Sequence, residues 1–69
     1  MTKAQRKTAI DHLTRDARTR RVNAKFWLRW TDNVPSRASV GQARAEGCTA
    51  ESRALFAAAK ALRKVATDD

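Results

Sequence analysis

The stretch KFWLRWTDNVPSR, residues 25–37, contains both tryptophans and the only proline of the chain. Its second half predicts the clearest helix end, at Asp32–Ser36, because a residue before proline is disfavoured in the helical conformation and Asp and Asn favour turns. Its first half continues a helical pattern and carries Lys25 and Arg29 among the aromatic rings. Aromatic side chains among cations suit either a stacking platform for bases or the anchors of a small core.

The segment before this stretch predicts a helix that begins after Thr2. Thr2 and Gln5 have the spacing of a capping box. The apolar residues that follow recur on one side at helical spacing, and they are Ile10, Leu13 and Ala17. A second apolar stripe lies on the opposite side and comprises Val22, Phe26 and Trp30. Because a helix that is apolar on two sides is either buried on both or interrupted, we expect a break or bend within residues 19–23.

The segment after Pro35 predicts two further helices. Ser39 offers a new N-cap, Gly47 suits a left-handed helix end, and Thr49 is placed to cap a final helix. The expected fold is therefore all-α, a small bundle of three or four helices over residues 1–66, with residues 67–69 as a frayed acidic tail. A helix-turn-helix-like arrangement of the C-terminal half is an alternative, in which the groove-facing residues would be Thr49, Glu51, Ser52 and Arg53.

Large apolar residues are scarce, since alanine supplies about half of the 42% apolar content. A chain of 69 residues with so few of them needs its largest side chains in the core, which favours core anchors over a stacking platform for the tryptophans. The expected core anchors are Ile10, Leu13, Trp27, Leu28, Leu55 and Leu62. Phe26 and Trp30 are candidates for a dimer or partner interface, because they lie on the side opposite Leu28.

The net charge of +8 and a pI near 11.2 indicate a partner rich in anions. Most of the excess lies in residues 1–33, where nine Lys and Arg residues face three Asp. Nucleic acid is the partner that such a surplus favours, although an acidic protein, an anionic membrane or a merely solubilising surface would also account for it. The candidate nucleic-acid-binding residues are Lys3, Arg6, Lys7, Arg15, Arg18, Arg20, Arg21, Lys25 and Arg29.

Residues for catalysis and metal binding are few. His12 and Cys48 are the only residues of their types, so the sequence offers neither a disulfide within the chain nor the four ligands that zinc requires. Neither a glycine-rich phosphate loop nor a carboxylate pair is present, so we expect no enzyme, no cofactor and no metal. The N-terminal segment resembles neither a signal peptide nor a membrane span, which makes the cytoplasm the expected location.

These features together predict a small basic nucleic-acid-binding protein, a homodimer that contacts DNA mainly through its phosphates. The rival prediction is an adaptor or inhibitor that docks onto another protein through the aromatic stripe and has no role with nucleic acid. A membrane-bound amphipathic helix is disfavoured, since Lys25 and Arg29 flank the aromatic rings instead of lying on the opposite face.

Overall fold

The computed structural model describes residues 1–68, and within them the chain forms two long helices joined by a short turn. Helix α1 spans Lys3–Asn33, a 3₁₀ turn spans Pro35–Arg37, and helix α2 spans Ala38–Leu62. The two helices pack against each other as an antiparallel hairpin, whose Cα atoms extend over 56 × 13 × 10 Å. The all-α class is confirmed, but the expected bundle of three or four helices is wrong.

The two ends of α1 lie where the sequence predicts them. The Thr2 hydroxyl accepts a hydrogen bond from the Gln5 amide at 3.1 Å, and the Gln5 side chain accepts one from the Thr2 amide at 2.8 Å. This capping box satisfies two amides that the first helical turn leaves without partners. At the other end Val34 leaves the helical conformation directly before Pro35, which confirms the predicted stop.

The predicted break within residues 19–23 is wrong, because α1 is continuous through this segment. The prediction assumed that both apolar stripes of the helix require burial. In the hairpin only one side of α1 faces α2, and the second stripe is partly left in solvent: Val22 is 64% exposed and Phe26 is 56% exposed. With no Gly or Pro between Lys3 and Asn33, nothing in the backbone interrupts the helix.

The predicted boundaries within α2 are also wrong, and with them the helix-turn-helix alternative. Gly47 lies inside the helix and does not adopt a positive φ angle, so it is not a left-handed cap. The Thr49 hydroxyl donates to the Ala45 carbonyl at 2.9 Å, the hydrogen bond of a threonine within a helix instead of an N-cap. Ser52, expected at the DNA groove in that alternative, is buried between the helices.

The contact between the helices, here called the seam, follows a strict alternation of three and four residues along α2. Every one of its α2 positions is buried or half-buried, and these positions are Ala38, Gly41, Ala45, Cys48, Ser52, Leu55, Ala59 and Leu62. An alternation of three and four is the spacing of a coiled coil. Most of these side chains are small, so the seam brings the two helix backbones close together.

Two contacts fix the register of the seam. The buried Ser52 hydroxyl donates to the Ala17 carbonyl of α1 at 2.8 Å. Closer to the turn, Thr31 and Trp30 pack directly on Gly41: a Cβ built at Gly41 would lie 3.1 Å from the Trp30 ring and would collide with the Thr31 hydroxyl. Glycine at position 41 is therefore required by the close approach of α1.

Five of the six expected core anchors lie half-buried in or beside the seam, and they are Ile10, Leu13, Trp27, Leu55 and Leu62. Leu28 is the exception, because it is 52% exposed and does not belong to the core. The side chain of Trp27 lies on the side of α1 that faces α2. Successive residues of a helix are rotated by about 100°, so Leu28 points toward the flank of the hairpin.

The ends of the described chain also touch. The Arg6 guanidinium donates to the Val65 carbonyl at 2.6 Å, and the amino group of Met1 lies 3.0 Å from a carboxylate oxygen of Asp68. The Asp68 amide in turn donates to the Met1 carbonyl. Asp68 belongs to the tail that is expected to fray at residues 67–69, and Asp69 lies outside the described residues.

The close seam predicts opposite effects for the two glycines of α2. Replacement of Gly47 by alanine should raise the free energy of unfolding by up to about 1 kcal/mol, since alanine is the better helix former and nothing lies within 4 Å of its new Cβ. Replacement of Gly41 by alanine brings the same gain in helix propensity, but its new Cβ pushes Thr31 and Trp30 of α1 away from α2. This overpacking costs about 1–3 kcal/mol. Urea unfolding of both variants at one protein concentration gives their free energies of unfolding, and the difference between the two values isolates the cost of overpacking. Equal stabilities for G41A and G47A would contradict the close approach at Gly41.

Candidate nucleic-acid interface

Four cations of α1 share the side of the helix that faces away from α2. They follow one another at intervals of three, seven and four residues and are called the outer stripe: Arg15, Arg18, Lys25 and Arg29. Helical neighbours recur three, four and seven residues apart, so this spacing places all four on one face. All four residues are exposed.

The outer stripe differs from the other predicted cations in having no partner. Within residues 1–68, none of its four side chains forms a hydrogen bond, an ion pair or a cation–π contact. The remaining five candidates are all engaged within the chain. Lys7 pairs with Asp11 at 3.1 Å, Arg20 with Glu51 at 3.0 Å, and Arg6 with the Val65 carbonyl. Lys3 is also held by an interaction within the chain.

Arg21 is engaged in a different way, because its guanidinium lies 5.0 Å from the centre of the Phe56 ring on α2. This cation–π contact ties the middle of α1 to α2 beside the seam. The nine predicted contact residues therefore divide into two groups. Five of them take part in contacts within the protein, and four are available to a partner.

The outer stripe is long and straight. From Arg15 to Arg29 it extends over about 21 Å at 1.5 Å per residue. Its borders are marked by Asp11 and Asp32, and no acidic residue occupies the same face between them. The result is a positive surface on a single helix that no acidic side chain interrupts, the arrangement that neutralises several phosphates of a polyanion at once.

Val22 and Phe26 add apolar surface to this positive face. Val22 lies between Arg18 and Lys25, and Phe26 follows one turn later. Both side chains are more than half exposed. The face is therefore cationic with an apolar centre.

The aromatic residues form a cluster near the turn of the hairpin. The Phe26 and Trp27 rings meet edge to face with centroids 5.3 Å apart, and the Trp27 and Trp30 rings do the same at 5.5 Å. The Arg44 guanidinium of α2 lies 5.0 Å from the Trp27 ring. Trp27 and Trp30 are half-buried, and Phe26 is the member of the cluster that faces solvent.

The two residues predicted for an interface are thus separated. Phe26 lies on the outer face, where a partner can reach it, whereas Trp30 packs toward α2 over Gly41. The sequence predicts that Phe26 and Trp30 lie on the same side of α1, because they are four residues apart. The difference arises because the ring of Trp30 reaches back toward the seam, where glycine leaves room.

Arg63 was not among the predicted contact residues, yet it lines a groove together with Arg15 and Arg18. Arg63 follows the last residue of α2, and the antiparallel register brings it beside the N-terminal half of α1. Because 45 residues separate Arg63 from Arg18 in the sequence, no local pattern indicates that the two line one groove.

The remaining chemistry-bearing residues do not gather into a site. His12 is exposed on α1, whereas Cys48 is half-buried in the seam between Ala45 and Ser52, opposite a later part of α1. Among residues 1–68, no three His, Cys, Asp or Glu side chains come together as a metal ion would require. In the described part of the chain, neither helix contains a stretch both long and apolar enough to cross a lipid bilayer.

Comparison of the chain with protein-family models, with curated proteins and with solved structures finds no match. Function is therefore inferred from the geometry of the hairpin and from the charges that it carries.

The different placement of Phe26 and Trp30 predicts different costs for their removal. Trp30→Ala should lower the free energy of unfolding by about 2 kcal/mol, less than for a fully buried tryptophan because the ring is only half-buried. Phe26→Ala should lower it by under about 1 kcal/mol, since most of that ring is already in water. Urea unfolding monitored by circular dichroism measures both. A larger loss for F26A than for W30A would contradict this placement.

Proposed function

We propose that the protein binds nucleic acid, mainly through phosphate groups, along the outer stripe of α1. The observation that carries this proposal is the set of four exposed cations on one helix face that have no partner within residues 1–68. Arginines that only made the surface soluble could equally be paired with acids, as Arg20 is with Glu51. A cytoplasmic location, with Cys48 as a free thiol, belongs to the same proposal.

Duplex DNA is the form of nucleic acid that suits a single straight helix best. An α-helix with its side chains is about 10–12 Å wide, which matches the major groove of about 12 Å. The major groove of duplex RNA is too narrow for such a helix. Cations of the outer stripe then contact phosphates on both sides of the groove, and each contact releases bound counterions. Val22 and Phe26 face the base edges, where apolar side chains contact thymine methyl groups.

Neutralising part of the outer stripe should reduce both the affinity for duplex DNA and its dependence on salt. With about four phosphate contacts, the slope of log K against log salt is expected near −3.6, and removal of two cations should bring it to about −1.8. The test variant is R18Q/K25Q. Its matched control is K60Q/K64Q, which removes the same charge from exposed positions of the C-terminal segment.

Fluorescence anisotropy of a labelled duplex at several salt concentrations gives both slopes. The control should retain most of the wild-type slope, because Lys60 and Lys64 lie outside the outer stripe. Equal slopes for the two double variants would mean that only total charge matters, and this outcome would contradict the assignment to the outer stripe. A wild-type protein that does not bind the duplex at low salt would refute the function itself.

An adaptor that docks onto an acidic protein is the second candidate. It is supported by Val22 and Phe26, whose exposed apolar surface exceeds what phosphate contacts need. The surrounding cations of the outer stripe favour a partner with acidic residues around an apolar patch, and they disfavour a second copy of the same face. Phe26→Ala distinguishes the two candidates, because it should leave the salt slope for DNA unchanged but remove the anchor for a protein partner.

We also propose that the protein is a homodimer, assembled through a groove between α1 and α2 that the outer stripe does not border. Leu28 and Ala50 are exposed and line a groove that Glu46 and Arg53 also border. These two charges are seven residues apart on the same face of α2. An antiparallel copy centred between them would bring Glu46 against Arg53 of the partner subunit twice, as the two-fold symmetry of a dimer requires. A hairpin with few large buried side chains also gains from such added burial.

Charge reversal tests the dimer. Glu46→Arg should weaken association by placing two arginines opposite each other, while the double variant E46R/R53E should restore it by exchanging the partners of each pair. Sedimentation equilibrium of wild type and both variants measures the dissociation constants, with an expected loss of about tenfold for the single variant. A wild-type protein that sediments as one chain at high concentration would contradict the dimer. Failure of the double variant to recover would contradict this interface.

A further inference from the structure

We propose that the groove between the N-terminal half of α1 and the end of α2 is a binding site for a phosphate group. The groove has a volume of about 710 Å³, within the range of pockets that hold small molecules. Its lining residues are Ile10, Asp11, Thr14, Arg15, Arg18, Thr19, Val22 and Arg63. This inference deepens the proposed function, since Arg15 and Arg18 belong to the outer stripe, but it adds a site that requires both helices.

Three arginines, two from α1 and one directly after α2, line this groove. Arg15 and Arg18 come from successive turns of α1, and Arg63 is brought beside them from α2 by the antiparallel register. None of the three is held by an acid or a carbonyl within residues 1–68. Guanidinium groups are planar donors that match the oxygen atoms of a phosphate, and several of them around one concave surface concentrate the positive potential there.

The unpaired hydroxyl of Thr14 at the wall of the groove is a second, independent observation. Thr19, Thr31 and Thr49 each donate to the carbonyl four residues earlier, as threonines in helices commonly do. The Thr14 hydroxyl is buried and has no hydrogen-bond partner among the described residues. A buried hydroxyl without a partner is costly, and a change of the Thr14 side chain to another χ1 rotamer would let it donate to an anion in the groove.

The one acidic residue of the groove does not cancel this charge. The Asp11 carboxylate is paired with Lys7 at 3.1 Å, so the pair is neutral and the three arginines remain in excess. Ile10 and Val22 supply apolar surface beside them. The ligand that fits is a phosphate group with an apolar or aromatic substituent. That chemistry is supplied either by the backbone of a nucleic acid or by a free phosphorylated molecule such as a nucleotide.

The test is the pair of single variants R63Q and K64Q. Both remove one positive charge from neighbouring exposed positions beyond α2, but only Arg63 borders the groove. Binding of a labelled DNA duplex is measured by anisotropy over a series of salt concentrations, and binding of inorganic pyrophosphate by titration calorimetry at low salt. Circular dichroism confirms that both variants remain helical. R63Q is expected to weaken pyrophosphate binding about tenfold and to lower the magnitude of the DNA salt slope by about 0.9, whereas K64Q changes neither.

The two sources of phosphate are distinguished by the two titrations. If R63Q weakens only the binding of DNA, the groove holds a backbone phosphate. If R63Q weakens only the binding of pyrophosphate, the groove holds a free phosphorylated ligand. If R63Q and K64Q behave alike in both titrations, the groove is not a phosphate site. Failure of the proposed function is recognised separately: wild-type protein would then not bind the duplex, and the pyrophosphate titration alone would decide the groove.

Discussion

The close packing of α1 on α2 is the constraint on which the rest of the molecule depends. Where Thr31 and Trp30 lie against Gly41, and where the Ser52 hydroxyl reaches the Ala17 carbonyl, α2 contributes only a small residue to the contact, so the two helices pack closely. Such a seam replaces a large hydrophobic core by continuous close contact along two helices. It also fixes the register, and the register decides which side chains of α1 face α2 and which remain outside.

The division of the cations follows from that register. Arg20 and Arg21 lie beside the seam and are held by Glu51 and Phe56 of α2, so they contribute to the hairpin. The outer stripe is on the far side of α1, where α2 offers no acid to pair with it. The same geometry carries Arg63 to the groove beside Arg15 and Arg18. The backbone of α1 therefore fixes the spacing of the unpaired charges, while their exposed side chains keep their rotamer freedom.

Local features of the fold were predictable from the sequence, and the arrangement of the helices was not. The capping box at Thr2 and the stop before Pro35 depend on a few neighbouring residues, and both predictions were confirmed. The seam escaped prediction because six of its eight α2 positions are Ala, Gly, Ser or Cys, whereas hydrophobic periodicity is evident mainly in large apolar side chains. Gly47 favours a helix end when only its neighbours are considered, but the helix continues through it. The positive charge of α1 was evident from composition, but which cations remain unpaired depends on contacts with α2.

The overall shape of the molecule in solution tests the hairpin most directly. Small-angle X-ray scattering gives the radius of gyration, together with the mass from the forward scattering, at a dilution where the mass corresponds to one chain. The hairpin has a Cα radius of gyration of 15.9 Å and the pair-distance distribution of a rod 56 Å long. A value close to 16 Å, slightly enlarged by hydration, is the predicted result. A compact bundle of 69 residues would have a radius of gyration of about 11 Å, and that result would contradict the close seam and everything derived from it.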